Sequence, residues 1–169
     1  SNALLMVADA QKLPFKNDQF DAIIAFDVIE HLKKPENFLK EANRTLKLNG
    51  ILIIATPNLD SFGNKIKKYK SSPKKMLYEN KSLEWYGCRD ETHISLKPIK
   101  EWQELINTNN FLILNDGTDT LWDIPYFKVI PNIIQKLIFI IPHWILTFFF
   151  GFFFWKYGEN YICIAKKVK

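Results

Sequence analysis

Five side chains in this sequence have the chemistry of a reactive or ligand-holding site: the carboxylates of Asp9, Asp27 and Glu30 and the imidazoles of His31 and His93. Carboxylates and imidazoles suit a hard or borderline divalent cation. An imidazole is also the side chain best placed to take a proton from a substrate near neutral pH. Each of the five has a plainer role open to it. Asp9 could cap a turn, Glu30-His31 could shape the entry to a following helix, and His93 could be a structural loop histidine. Cys163 lies in the apolar run Tyr161-Ile162-Cys163-Ile164-Ala165 and reads as a small buried residue rather than a reactive thiol. The second cysteine, Cys88, is far from it in sequence, so nothing asks for an oxidising compartment.

The elements that must position these groups follow from the spacing of apolar residues. Phe20 to Asp27 and Ile51 to Thr56 carry apolar runs without alternation, the pattern of strands buried on both faces of a sheet. Between them Phe38, Leu39, Ala42 and Leu46 recur at helical spacing over Pro35 to Leu48, with Pro35 suited to the first turn and Asn49-Gly50 to the stop. Such a strand-helix-strand unit predicts a right-handed crossover between parallel neighbours. The pattern returns after a long polar stretch. Pro98 to Thr108 sets Ile99, Trp102, Leu105 and Ile106 on one helical face, Asn109-Asn110 offers a left-handed exit, and Phe111 to Leu114 reads as the next strand. A final strand spans Tyr161 to Ala165. Alternation of this kind predicts an α/β sheet.

With 47% hydrophobic and 24% charged residues among 169, the composition excludes disordered and fibrous classes. Ser1-Asn2-Ala3 has the look of an expression-tag remnant, which leaves residues 4–169 as a single domain. The net charge of +5 is concentrated: Lys65, Lys67, Lys68, Lys70, Lys74 and Lys75 fall within eleven residues. A solvated loop, an anionic membrane surface and nucleic acid are all compatible with such a run. Residues 129–157 form a hydrophobic helical insertion between the last two strands. Pro142-His143 divides it into two pieces of about a dozen residues, the range of buried, re-entrant or interfacial helices. A lid facing lipid or substrate, core or oligomer packing, and membrane insertion are its three readings. A single crossing would leave the last strand on the wrong side of the membrane from its sheet.

Read in order, Ala8-Asp9-Ala10-Gln11-Lys12-Leu13-Pro14-Phe15, Phe20-Asp21, Asp27-Val28-Ile29-Glu30-His31-Leu32, Leu46-Lys47-Leu48-Asn49-Gly50 and Ile51 to Asn58 resemble consecutive motifs of the class I S-adenosylmethionine-dependent methyltransferases. His93-Ile94-Ser95 and Asn110-Phe111 resemble a region of the quinone-biosynthesis and other small-molecule branches. The resemblance covers Leu4 to Asp116 and the last strand. It implies a partial Rossmann-like fold, mostly parallel with an antiparallel last strand, and S-adenosylmethionine as cofactor. Asp9 then matches the acid that accepts from the adenine amino group, Ala10 the neighbouring backbone amide, and Asp27 and Val28 the lining of the cofactor cleft. Asp27, Glu30 and His31 reproduce the spacing at which ubiquinone-biosynthesis O-methyltransferases hold a divalent metal. His31 and His93 stand on the substrate side as candidate catalytic bases.

The family's first two strands and Gly-rich turn have no counterpart here. The six glycines, at 50, 63, 87, 117, 151 and 158, include no G-x-G pair, and the acid that binds the ribose hydroxyls is missing with them. The expectation is therefore a fragment inactive by itself, from an enzyme methylating a small, lipidic acceptor. The rival expectation is a non-catalytic module that is membrane-peripheral or self-associating. Nucleic acid is disfavoured as partner, because no Asn/Asp-Pro-Pro-Tyr/Phe-type motif is present to hold a flipped base. In the family's sheet order, 3-2-1-4-5-7-6, the strand at Phe20 loses its first-strand neighbour. Its open edge predicts either pairing with Leu4 to Ala8 or a homo-oligomer. The expected spatial order is Phe20, Ile51, Tyr161, Phe111, in a cytoplasmic protein with membrane association.

Overall fold

The computed structural model describes residues 4–66, 92–122, 124–152 and 155–169. The lysine run beyond Ile66, Cys88 and Gly87 lie outside the described residues. In chain order the elements are β1 (Phe20–Phe26), a 3-10 turn (Ile29–His31), α1 (Pro35–Thr45), β2 (Leu46–Pro57), α2 (Phe62–Ile66), α3 (Ile99–Thr108), β3 (Phe111–Thr118), α4 (Asn132–Phe150) and β4 (Asn160–Lys167).

The strands form one sheet in the order β1-β2-β4-β3. β1 runs parallel to β2, and β4 runs antiparallel to both of its neighbours. This is the spatial order expected from the sequence, with the last strand reversed. The core lies where α1 and α3 pack on the sheet. Phe38, Leu39 and Ala42 from α1 and Trp102 and Ile106 from α3 join Leu52, Ile54, Tyr161, Cys163 and Ala165 in one buried cluster. Register explains the pairing: Leu52 faces Ala165, Ile54 faces Cys163 and Thr56 faces Tyr161 across the β2–β4 ladder, all buried. A one-residue slip would turn each of these side chains away from the helices.

Several expectations are corrected. α1 stops at Thr45, not Leu48, because Leu46 is already extended (φ −72°, ψ 142°) and buried as the first residue of β2. Asn49, expected at the helix stop, is left-handed (φ 66°) but falls inside β2, beside the irregular pairing at Phe20 and Ala22. Gly50 is required there, since a Cβ would sit 2.8 Å from the Lys47 carbonyl oxygen. β1 is not buried on both faces: Ala25 is buried, but Ile24 is 62% and Phe26 57% exposed. Among the described residues no strand pairs with its outer edge, and Leu4 to Ala8, outside any strand, does not fill it. Pro142 does not break the insertion in two. A π-helical turn over Lys136–Ile140 precedes it and α4 runs through. The wider π coil accommodates a residue that has no N–H and would clash with a carbonyl one turn back in a regular helix.

Candidate functional site

The site begins where β1 ends. Asp27 is left-handed (φ 52°), and its N–H donates to the Ala55 carbonyl at 2.9 Å, so the chain leaves the sheet sharply at the carboxyl end of β1. The following 3-10 turn buries Ile29 and Glu30. Thr56, at the matching end of β2, donates through Oγ1 to Glu30 Oε2 at 3.1 Å. Glu30 Oε1 is buried without a hydrogen-bond partner among the described residues and lies 3.8 Å from His31 Nε2. Burial pushes the Glu30 carboxyl above its ordinary pKa, against the lowering effects of backbone and Thr56 hydrogen bonds and of His31.

The second histidine comes from a distant segment. Thr92 Oγ1 is 2.7 Å from His31 Nδ1, and the His31 and His93 rings are 4.7 Å apart. The 92–95 segment is fixed by Ser95, whose N–H donates to the Glu30 carbonyl at 2.9 Å and whose hydroxyl donates to the Leu32 carbonyl at 2.5 Å. Donor atoms of Glu30, His31 and His93 all fall within 4.8 Å of one another. The structure thus brings together both expected bases and two of the three expected metal ligands. Asp27 is not in that cluster; it is solvent-exposed at the strand end, and His93 stands in its place. Thr56, Thr92 and Ser95 were not legible as site residues, because their roles depend on contacts across 26 to 63 residues of chain.

The expected cofactor residues occupy the same end of β1. Asp9 Oδ1 accepts from the Gln11 amide at 2.8 Å, closing a turn, and Gln11 Oε1 accepts from the Lys34 amide at 3.2 Å just before α1. Ala10 and Val28 are partly buried against the core. An ion pair on α1 holds the next residues: Glu41 Oε2 accepts from the Leu13 amide at 2.8 Å, while Arg44 donates to the Phe15 carbonyl at 2.7 Å and to Glu41 itself at 2.8 Å. The Arg44 guanidinium beside Glu41 holds that carboxyl below the usual range. Cys163 is buried in β4, and desolvation pushes its thiol up to about 12, which makes it inert.

A methyltransferase-domain family matches residues 3–115. The chain belongs to the class I S-adenosylmethionine-dependent methyltransferases. An uncharacterized protein of Methanocaldococcus jannaschii is 34% identical to this chain over 106 residues, 63% of this chain and 46% of the relative. The ubiquinone biosynthesis O-methyltransferase of Pelagibacter ubique is 40% identical over 52 residues, 31% of this chain and 21% of that protein. Among solved structures, a SAM-dependent methyltransferase from Thermotoga maritima has the same fold with a TM-score of 0.58 at 18% identity, over 95% of this chain and 62% of that one. This methyltransferase chain therefore spans less than half of the length of the relatives it matches. Asp9 offers a carboxylate, an acceptor of the kind that an exocyclic amine needs. The close-approach glycines needed at the methionine end are not in the sequence.

Proposed function

We propose that the whole protein transfers the methyl group of S-adenosylmethionine to an oxygen, nitrogen or carbon nucleophile on a small, lipidic acceptor, with His31 and His93 as the proton-accepting pair. The observation that carries this reading is the buried, half-satisfied Glu30 carboxyl beside two imidazoles tilted against each other at 4.7 Å, at the strand end where sheets of this kind bind ligands. The likeness of 52 residues to a ubiquinone-biosynthesis O-methyltransferase supports a quinol-like acceptor.

When bound, S-adenosylmethionine supplies an electrophilic methyl group on a sulfonium sulfur. For a hydroxyl acceptor, an imidazole nitrogen of the pair would take the hydroxyl proton as the oxygen accepts that methyl group from the sulfonium. Glu30 Oε1, 3.8 Å from His31 Nε2, stands beside the ring that takes the proton. Asp9 and Ala10 would hold the adenine, and Asp27 and Val28 would line the cleft beside it.

The test is methyl transfer from labelled S-adenosylmethionine to a catechol in a protein extended at its N-terminus to the length of the relatives. His31→Ala should lower transfer by about 10²-fold, the scale of a lost general base, with the melting temperature unchanged. Transfer unaffected by both His31→Ala and His93→Ala would discard the assignment. This chain alone is expected to bind the cofactor weakly or not at all. If calorimetry detects no cofactor binding by the extended protein either, the non-catalytic module becomes the better reading.

A second reading of the same cluster is favoured by the orphaned Oε1: a divalent cation held by Glu30, His31 and His93. Manganese titration followed by water-proton relaxation tests it. Binding abolished by Glu30→Gln supports the cation, and no binding to the wild type removes it.

A further inference from the structure

Helix α4 lies against the rest of the molecule by one narrow stripe. Gln135, Phe139, His143 and Thr147, four residues apart, are buried or half-buried, while nearly all of the rest of the helix surface is exposed. Gln135 is fully buried and holds the preceding segment: its Oε1 accepts from the Tyr126 and Phe127 amides at 2.7 and 3.0 Å, and its Nε2 donates to the Phe127 and Ile130 carbonyls at 2.8 and 2.6 Å. The Phe139 ring packs 5.2 Å from Tyr126 and 5.7 Å from Phe62, and the His143 ring 4.5 Å from Trp155. The stripe on the protein thus holds Gln135, His143 and Thr147 beside Phe139, while most of the apolar side chains of α4 face away, unlike an ordinary surface helix.

The outward surface is large. Trp144, Phe148, Phe149 and Phe150 are each 70% to 84% exposed. At about 200 Å² for a whole aromatic side chain, these four alone present about 600 Å², the upper end for the largest apolar patch of a typical monomer. Both ends of the insertion return to one end of the sheet: Thr118 pairs with Tyr161, and Asn58 Nδ2 donates to the Lys156 and Gly158 carbonyls. A helix of 19 residues, about 28 Å long, that leaves and re-enters at the same end of the sheet cannot carry the chain across a bilayer. It can lie in the plane of one. From Ile124 to Gly158 the chain carries Lys128, Lys136 and Lys156 and no carboxylate side chain, and Lys65 sits over the Tyr157 ring at 4.1 Å. Cations and Trp/Tyr side chains thus border the apolar surface, the arrangement of groups that sit at a phospholipid headgroup layer.

We propose that α4 is an in-plane membrane-docking helix that inserts Trp144 and Phe148 to Phe150 into one leaflet of an anionic phospholipid bilayer while its 135/139/143/147 stripe stays on the protein. A second copy of the chain is the weaker occupant, because it would set one lysine-bearing, carboxylate-free surface against another. Lys136 and Lys156 also favour negatively charged headgroups.

Flotation of the full chain with phosphatidylcholine vesicles, with and without about 30% phosphatidylglycerol, tests this proposal and needs no methyl transfer, so its failure leaves the proposed activity standing. Co-flotation several-fold stronger with the anionic vesicles is expected. Phe148→Ser with Phe149→Ser, at positions outside the core, should lower it at least 10-fold while the circular-dichroism melt stays unchanged. Lys136→Gln with Lys156→Gln should abolish the headgroup preference. Recovery of the wild type in the bottom fraction with both vesicles, or binding that the serine variant leaves intact, would overturn the proposal. So would a stable dimer in light scattering that the serine variant dissociates, with no vesicle binding by the wild type.

Discussion

Glu30 is an acidic side chain that the fold has removed from water with one oxygen bonded and the other not. Its pKa is raised in the native state above the 4.5 of the free group, so the folded protein keeps a proton that the unfolded chain has released. Unfolding then loses protons, and the stability tied to Glu30 falls as pH rises from 4.5 through the raised native value. Glu30→Gln removes that dependence. In urea titrations across pH 4.5 to 8, the variant should gain on the wild type as pH increases; a constant difference would show that the residue is ionised throughout. Gly158 gives a second test. A Cβ there would overlap the Asp119 carbonyl oxygen and come within 2.7 Å of Thr118 Oγ1, which accepts from the Gly158 amide. Gly158→Ala should destabilise by about 2 kcal/mol, the usual scale of overpacking, measured by chemical denaturation.

At the scale of elements, the α4 insertion is held by side-chain bonds where the sheet is held by backbone ladders. Gln135→Ala leaves two amides and two carbonyls near Tyr126 and Ile130 without their partner. Each such group costs about 1–3 kcal/mol when it stays buried. The segment is therefore expected to open locally. Hydrogen exchange should quicken at Tyr126, Phe127 and the first turn of α4, while β2 and β4 amides stay protected. Uniform loss of protection would mean that the insertion and the sheet unfold as one unit. Helical spacing in the sequence located α1 and α3 well, and the Asn110 exit is left-handed as read (φ 63°). It misjudged the ends of β2 and the effect of Pro142, because a bulge at Asn49 and a π turn depend on tertiary space that spacing does not encode.

Across the whole molecule, the consequential feature is the open edge of β1, with Ile24 and Phe26 exposed beside it. Its backbone groups have no described strand as neighbour, and such edges recruit one. Self-association of this chain is the expected result. Light scattering at micromolar concentration should report more than a monomer, and Ile24→Lys, which places a charge beside that edge, should shift the protein toward monomer. A stable monomer for the wild type would refute it.

The chain's own residues determined the α/β class, because apolar runs and helical spacing are local properties written along the chain, while the strand order and the candidate bases followed from the family resemblance that its motifs carry. Tertiary structure alone decided that His93, rather than Asp27, joins Glu30 and His31. The approach of Thr92 and Ser95 across more than sixty residues sets that geometry, whereas the left-handed turn at Asp27 keeps its carboxylate out of the cluster. It also decided which way α4 faces. Composition is the same whichever stripe is buried, but the bonds of Gln135 and the rings around Phe139 choose one, and the aromatic side chains are left outside.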